Sequence, residues 1–167
     1  PPAGGQLVEL LTAEGEKFYP VDLSEDGRYL YYTTSQGNAT FLNSYKLDLE
    51  TREKTLLHEG ANGPTFIVAV SPSGEAFVTG ETFSNTIRFL YLHKDGQRIP
   101  LRRSDEPHGA SGGVFVDEDT VYFLTDEGED VHYLACYDGR DGSIRQVAKV
   151  DGQQLHSLKF HKEGNAL

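Results

Sequence analysis

An all-β chain assembled from four-stranded antiparallel repeats is predicted by three observations. A unit of apolar strand, polar turn and apolar strand recurs at a spacing of roughly 45 residues, the length of one four-stranded propeller blade. Glycine, aspartate and proline fall at matching places in successive units, where turns need them. No stretch sustains the 3.6-residue apolar period of a helix. The expected architecture is a β-propeller fragment: about three complete blades with partial blades at both ends.

The recurrence is direct. FYPVDLSEDGRYLYYTT (residues 18–34) stands in register with TFIVAVSPSGEAFVTGE (residues 65–81), so Gly27 and Gly74 share a turn position. A third copy, GGVFVDEDTVYFLTDE, begins at Gly113, and a fourth, HSLKFHKEGNAL, begins at His156 with Gly164 in the turn. The repeats therefore run over residues 18–64, 65–112 and 113–155, with a partial one at 156–167. Residues 6–17 are read as the outer strand of a preceding blade and its connector.

Within each repeat the first strand is apolar and β-branched or aromatic (Tyr19, Val21 and Leu23; Phe66, Val68 and Val70; Val114 and Val116). That composition suits a strand sandwiched between neighbouring blades. The turn after it is SEDG or SPSG, where glycine supplies positive φ and Pro72 presets its own. The third copy has DED without glycine, so a different or tighter turn is expected. The second strands follow as RYLYYTT, EAFVTG and TVYFLTD. Third strands end in turns within residues 45–53, 90–98 and 135–143, and short fourth strands follow at 54–57 and 144–147.

Composition excludes several classes. Across 167 residues, 26 acidic against 15 basic side chains give a net charge of −11, and no basic cluster exceeds Arg102 and Arg103, which argues against nucleic acid as a partner. No apolar stretch approaches the ~20 residues of a membrane-spanning helix. The opening PPAGGQ has neither part of a signal peptide. The single cysteine, Cys136, permits no intrachain disulfide and fits a cytoplasmic location. Asn38-Ala39-Thr40 matches a glycosylation acceptor but is read as a chance tripeptide. The partial repeats suggest a segment of a longer protein, and open blade faces offer a route to self-association.

Several residues match patterns that carry chemistry elsewhere. Gly109-Ala110-Ser111-Gly112-Gly113 matches the G-x-S-x-G pattern, which works as a nucleophile only where a strand turns sharply into a helix. Here a polar loop precedes it and a strand follows, so Ser111 is assigned to the connector between blades, although Asp126 and His132 or His156 follow in triad order. Six histidines are present: His58, His93, His108, His132, His156 and His161. They form no zinc motif, and His108 is expected as a solvated loop residue near a propeller face. The acidic runs Asp117-Glu118-Asp119 and Asp126-Glu127-Gly128-Glu129-Asp130 lack a calcium-loop pattern and are read as solvated turns; Glu127 and Glu129 are not assigned as an amine site. Cys136, with no Lys or His beside it in its own strand, is expected to be a buried, inert thiol. The sequence thus offers no catalytic, cofactor-binding or metal-binding residues.

The SPSG and SEDG turns, the YLYYTT-type second strands and YKLDLETRE resemble the propeller repeats of the prolyl oligopeptidase family, and TolB-like and WD40-like propellers share related features. Residues 121–147, VYFLTDEGEDVHYLACYDGRDGSIRQV, resemble a blade of its acylaminoacyl-peptidase-type members. The resemblance implies a non-catalytic propeller that gates peptide access to a hydrolase domain carrying a Ser-Asp-His triad, a domain absent from these residues. Its partners would be a peptide substrate or that hydrolase domain. The alternative is a protein-binding module with no hydrolase attached. A metal-dependent lactonase ranks last, because Asp22 and Asp117 are almost the only inward carboxylates that the first strands offer.

Overall fold

Twelve strands build three sheets in a computed structural model that describes residues 9–38 and 40–160. The first blade is β1 (Phe18–Leu23), β2 (Tyr29–Thr34), β3 (Asn43–Asp48) and β4 (Lys54–His58). The second is β5 (Thr65–Val70), β6 (Phe77–Thr82), β7 (Arg88–Lys94) and β8 (Gln97–Pro100). The third is β9 (Ala110–Phe115), β10 (Thr120–Thr125), β11 (Tyr133–Asp138) and β12 (Ser143–Ala148). Each sheet is an antiparallel meander in chain order. The described residues form no helix.

Turn chemistry explains the register. Gly27 and Gly74 take φ of 71° and 74° and donate back to Ser24 and Ser71. The glycine-free third turn is tighter by one residue: Val116 N–H closes on Thr120, whereas Ser24 closes on Tyr29 and Ser71 on Ala76. Between β7 and β8, Asp95 and Gly96 both adopt positive φ, 52° and 72°, which is the two-residue hairpin turn that matches strand twist.

Two expectations about the strands change. The third blade begins at Ala110 rather than Gly113, so Ser111 lies inside β9, opposite Leu124, and not in a connector. The shift arises because Asp126 N–H and the Thr125 hydroxyl both bond the Gly109 carbonyl, extending the pairing backwards. Glu9 to Leu11 lie outside any strand, as does the start of the fourth repeat from His156 to Phe160. Residues 6–8 and 161–167 of those assignments fall outside the described residues.

The core is uneven. One apolar cluster runs across the second and third blades, from Ala69, Val78, Leu90 and Leu92 to Phe115, Val121, Phe123 and Tyr133. The first blade keeps a separate cluster of Leu30, Tyr32 and Leu47, with Leu11, Phe18 and Tyr45 packed against it. This cluster faces away from blade 2, because strand alternation sends Tyr31 and Thr33 the other way. Among the described residues, strands of the first and third blades do not touch, so the blades form an open arc.

Candidate functional site

The first strands of the three blades stand side by side. Each gives three consecutive residues to one axial channel of about 560 Å³: Val21, Asp22 and Leu23, then Val68, Ala69 and Val70, then Gly113, Val114 and Phe115. Leu158 to Phe160 also line it. Strands β5 and β9 approach closely at Gly113, where a Cβ would stand 3.2 Å from Val68 Cγ2 and 3.3 Å from Ala69 Cβ. The walls mix apolar side chains with the polar or charged Asp22, Ser24, Glu25, Ser71 and Lys159. At the mouth, burial first and then nearby negative groups raise the pKa of the Tyr31 phenol, so it remains a neutral donor.

A second concavity lies at the opposite end of the first strands, where the β6–β7 loop, the connector into β9 and the β10–β11 loop meet. Ser111, Asp126 and His132 come together there in a cleft of about 380 Å³ with Arg88 and Gln154. Asp126 Oδ1 accepts the Gly109 N–H at 2.6 Å. Nδ1 of His132 lies 2.7 Å from the Gln154 side-chain amide nitrogen. With that amide donating, Nδ1 bears no proton and the neutral ring carries it on Nε2. A ring in this tautomer is a donor toward the cleft, whereas activation of serine requires a base. The serine also sits in a strand, without the strand-to-helix turn that exposes a nucleophile above a helix N-terminus. His156 does not line this cleft.

The remaining candidates fall elsewhere. His108 is buried rather than solvated, 6% exposed. Its ring lies 4.8 Å from that of Phe89, Nδ1 reaches the Glu106 carbonyl at 2.8 Å, and its own carbonyl accepts Arg88 N–H. Glu127 is likewise buried, 5% exposed, because it accepts the backbone N–H groups of Arg103 and Ser104. Glu129 pairs instead with Lys149. Asp117 meets Arg140, and Asp119 meets Lys94. Glu118 holds Ser73 of the second blade through both its backbone N–H and its hydroxyl. These acidic runs tie loops and blades together, which single-sequence reading missed because every partner is distant in the chain.

His58 and His93 meet across blades 1 and 2, a pairing that periodicity does not reveal. Cys136 is fully buried, and burial pushes its thiol up; Arg145 stands opposite it on β12. The Asn38 side-chain amide donates to Asn43 and Gly60, so a glycan there, which replaces one of the two amide hydrogens, would have to break at least one of these bonds. Among the described residues no group of three or more His, Cys, Asp or Glu side chains is placed to hold a metal ion, and no helix is long and apolar enough to cross a membrane.

This geometry defines the class: an array of β-propeller blades around an axial channel. Similar arrays occur in TolB from Acinetobacter baumannii (18% identity, TM-score 0.59, 82% of this chain and 33% of that one) and in a prolyl endopeptidase (18%, 0.62, 81% and 22%). A puromycin-hydrolyzing peptidase from Mycobacterium tuberculosis is similar too (14%, 0.52, 82% and 22%). The chain thus spans a third or less of the length of these three proteins. No family model and no curated protein matches the sequence. At these identities the likeness establishes the fold.

Proposed function

We propose that the chain is the non-catalytic propeller portion of a serine peptidase, whose channel governs which peptides reach a hydrolase domain outside these residues. The observation that carries this reading is the axial channel, to which all three first strands contribute. Its narrow concavity, apolar with interspersed polar side chains, suits an extended peptide better than a folded protein. The likeness to two peptidases supports the same reading. A cytoplasmic location belongs to the proposal and rests on the lone buried thiol.

Addition of short unstructured peptides to the isotope-labelled chain should shift the NMR signals of Val21, Val68 and Val114, while the chain alone cleaves none of them. Peptidase activity of the chain itself, or peptide-induced shifts confined to the outer strands, would overturn it. The alternative reading is a TolB-like or WD40-like propeller acting as a protein-binding module. That reading predicts shifts at the exposed loops on addition of a folded partner, with the channel signals unmoved.

A further inference from the structure

Blades 2 and 3 share a continuous apolar core, whereas blade 1 joins blade 2 without one. The seam between blades 1 and 2 depends on a few specific contacts. Tyr19 packs edge-on to Phe66 at 5.8 Å, and the Ile67 N–H donates across the seam to the Thr33 hydroxyl at 3.3 Å. At its outer side two imidazoles meet: His58, at the end of β4, lies edge-on to His93 of β7 with ring centroids 5.1 Å apart. His93 is stacked flat on Phe77 at 4.6 Å and reaches the Thr79 hydroxyl through Nε2 at 2.9 Å.

The surroundings of this pair disfavour charge. Arg98 of β8 is held beside it by the buried carboxylate of Glu81 on β6 at 2.5 Å and lies over the Tyr91 ring. Glu59, next to His58, and Glu81 draw protons toward His58, whereas Arg98 opposes them. Glu75, Lys94 and Asp95 rim the groove beyond His93. Burial first, then His58 and Arg98, lower the His93 pKa to about 4; burial first also lowers that of His58.

We propose that the His58–His93 pair is an acid-sensitive latch between blades 1 and 2, and that protonation of the pair swings blade 1 away from blade 2 and widens the channel that β1 and β5 line together. Two neutral rings pack edge to face. Two imidazolium rings repel each other and Arg98, and separation of the blades returns them to water. Above the ordinary histidine pKa near 6.5 the latch is closed at no cost. As pH falls below that value the open state binds protons that the closed seam excludes, so closure weakens progressively down to a pH of about 4. The latch does not depend on which ligand the channel accepts.

The Ile67 amide is the reporter, since its acceptor lies on the other blade. Its NMR hydrogen exchange, corrected for intrinsic rate, should rise roughly tenfold or more between pH 7.5 and 4.5, while the Phe123 amide in the shared core changes less than about twofold. His93→Gln retains a partner for Thr79 but leaves only His58 to titrate at the seam, and it should cut the rise to a few-fold or less. Equal Ile67 protection at both pH values, or the same acid loosening in the variant, would overturn the latch. Should His93→Gln not fold, the wild-type ring titrations decide: His93 titrating well below 6 upholds the proposal, and titration near 6.5 overturns it.

Discussion

Glu127 holds Arg103 at two points: one carboxylate oxygen accepts the Arg103 backbone N–H at 2.7 Å and the other accepts the guanidinium Nε at 3.2 Å. The first oxygen also takes Ser104 N–H at 2.6 Å, and the guanidinium continues to the Tyr133 phenol at 2.6 Å. A single carboxylate thereby fastens the linker leaving blade 2 to the core of blade 3. Glu127→Ala removes the shared acceptor of two backbone donors and the ion-pair partner of a half-exposed guanidinium, and we expect a loss of about 1–3 kcal/mol in urea unfolding at neutral pH.

The same group carries a pH dependence. Burial alone would raise its pKa, but the two backbone donors and Arg103 outweigh that and hold it below the ordinary value of 4.5. Its contribution is therefore complete above the ordinary carboxylate pKa and lost as pH falls through the lowered one. The stability gap between wild type and Glu127→Ala should shrink in acid below that range, as read from urea midpoints across pH.

Tyr32 gives the opposite sign. It is fully buried in the first-blade cluster, stacked on Tyr45 at 5.6 Å, and its hydroxyl has no partner among the described residues. Removing an unpaired buried hydroxyl should help, so Tyr32→Phe should raise stability by roughly 0.5–1 kcal/mol. Burial first, then Tyr45, push the phenol up to about 12. The ultraviolet phenolate signal at pH 11 should thus be the same in wild type and variant.

Gly113→Val tests the close approach of β9 to β5. Its Cβ alone would press on Val68 and Ala69, and the two added methyls would force the blades apart or shift their rotamers. A cost of about 1–3 kcal/mol is expected, measured as a lowered melting temperature, together with weaker peptide shifts in the channel.

Two nucleophiles should be silent. Cys136 is buried with its thiol pushed up by burial, so a thiol reagent should react with native protein far more slowly than with protein in guanidinium. A fluorophosphonate probe should leave Ser111 unlabelled, and labelling there would show that the cleft serine is activated despite its strand setting.

The strands were legible because each blade repeats a local code. Apolar first strands such as FIVAV and nearly continuously buried second strands such as YLYYTT, together with glycine or aspartate in the turns, mark where the chain reverses. The start of β9 was not legible, since Gly109 and Ala110 are poor strand formers locally. They pair because Thr125 and Asp126, at the end of β10 later in the chain, capture the Gly109 carbonyl. The same limit hid the clusters. Glu127 reads as one acid in an acidic run until Arg103 arrives, and His58 and His93 become a pair only when two blades pack.

The uneven core bears on how the array comes apart. Repeat arrays behave as sums of intrinsic and nearest-neighbour terms, and cooperativity is set by the weakest coupling. With apolar side chains interleaved between the second and third units and mostly polar or ring contacts joining the first, the last two units act as one cooperative block. The first should then unfold as a separable unit. A chain that looks like three equal beads in sequence is, energetically, a pair and a single.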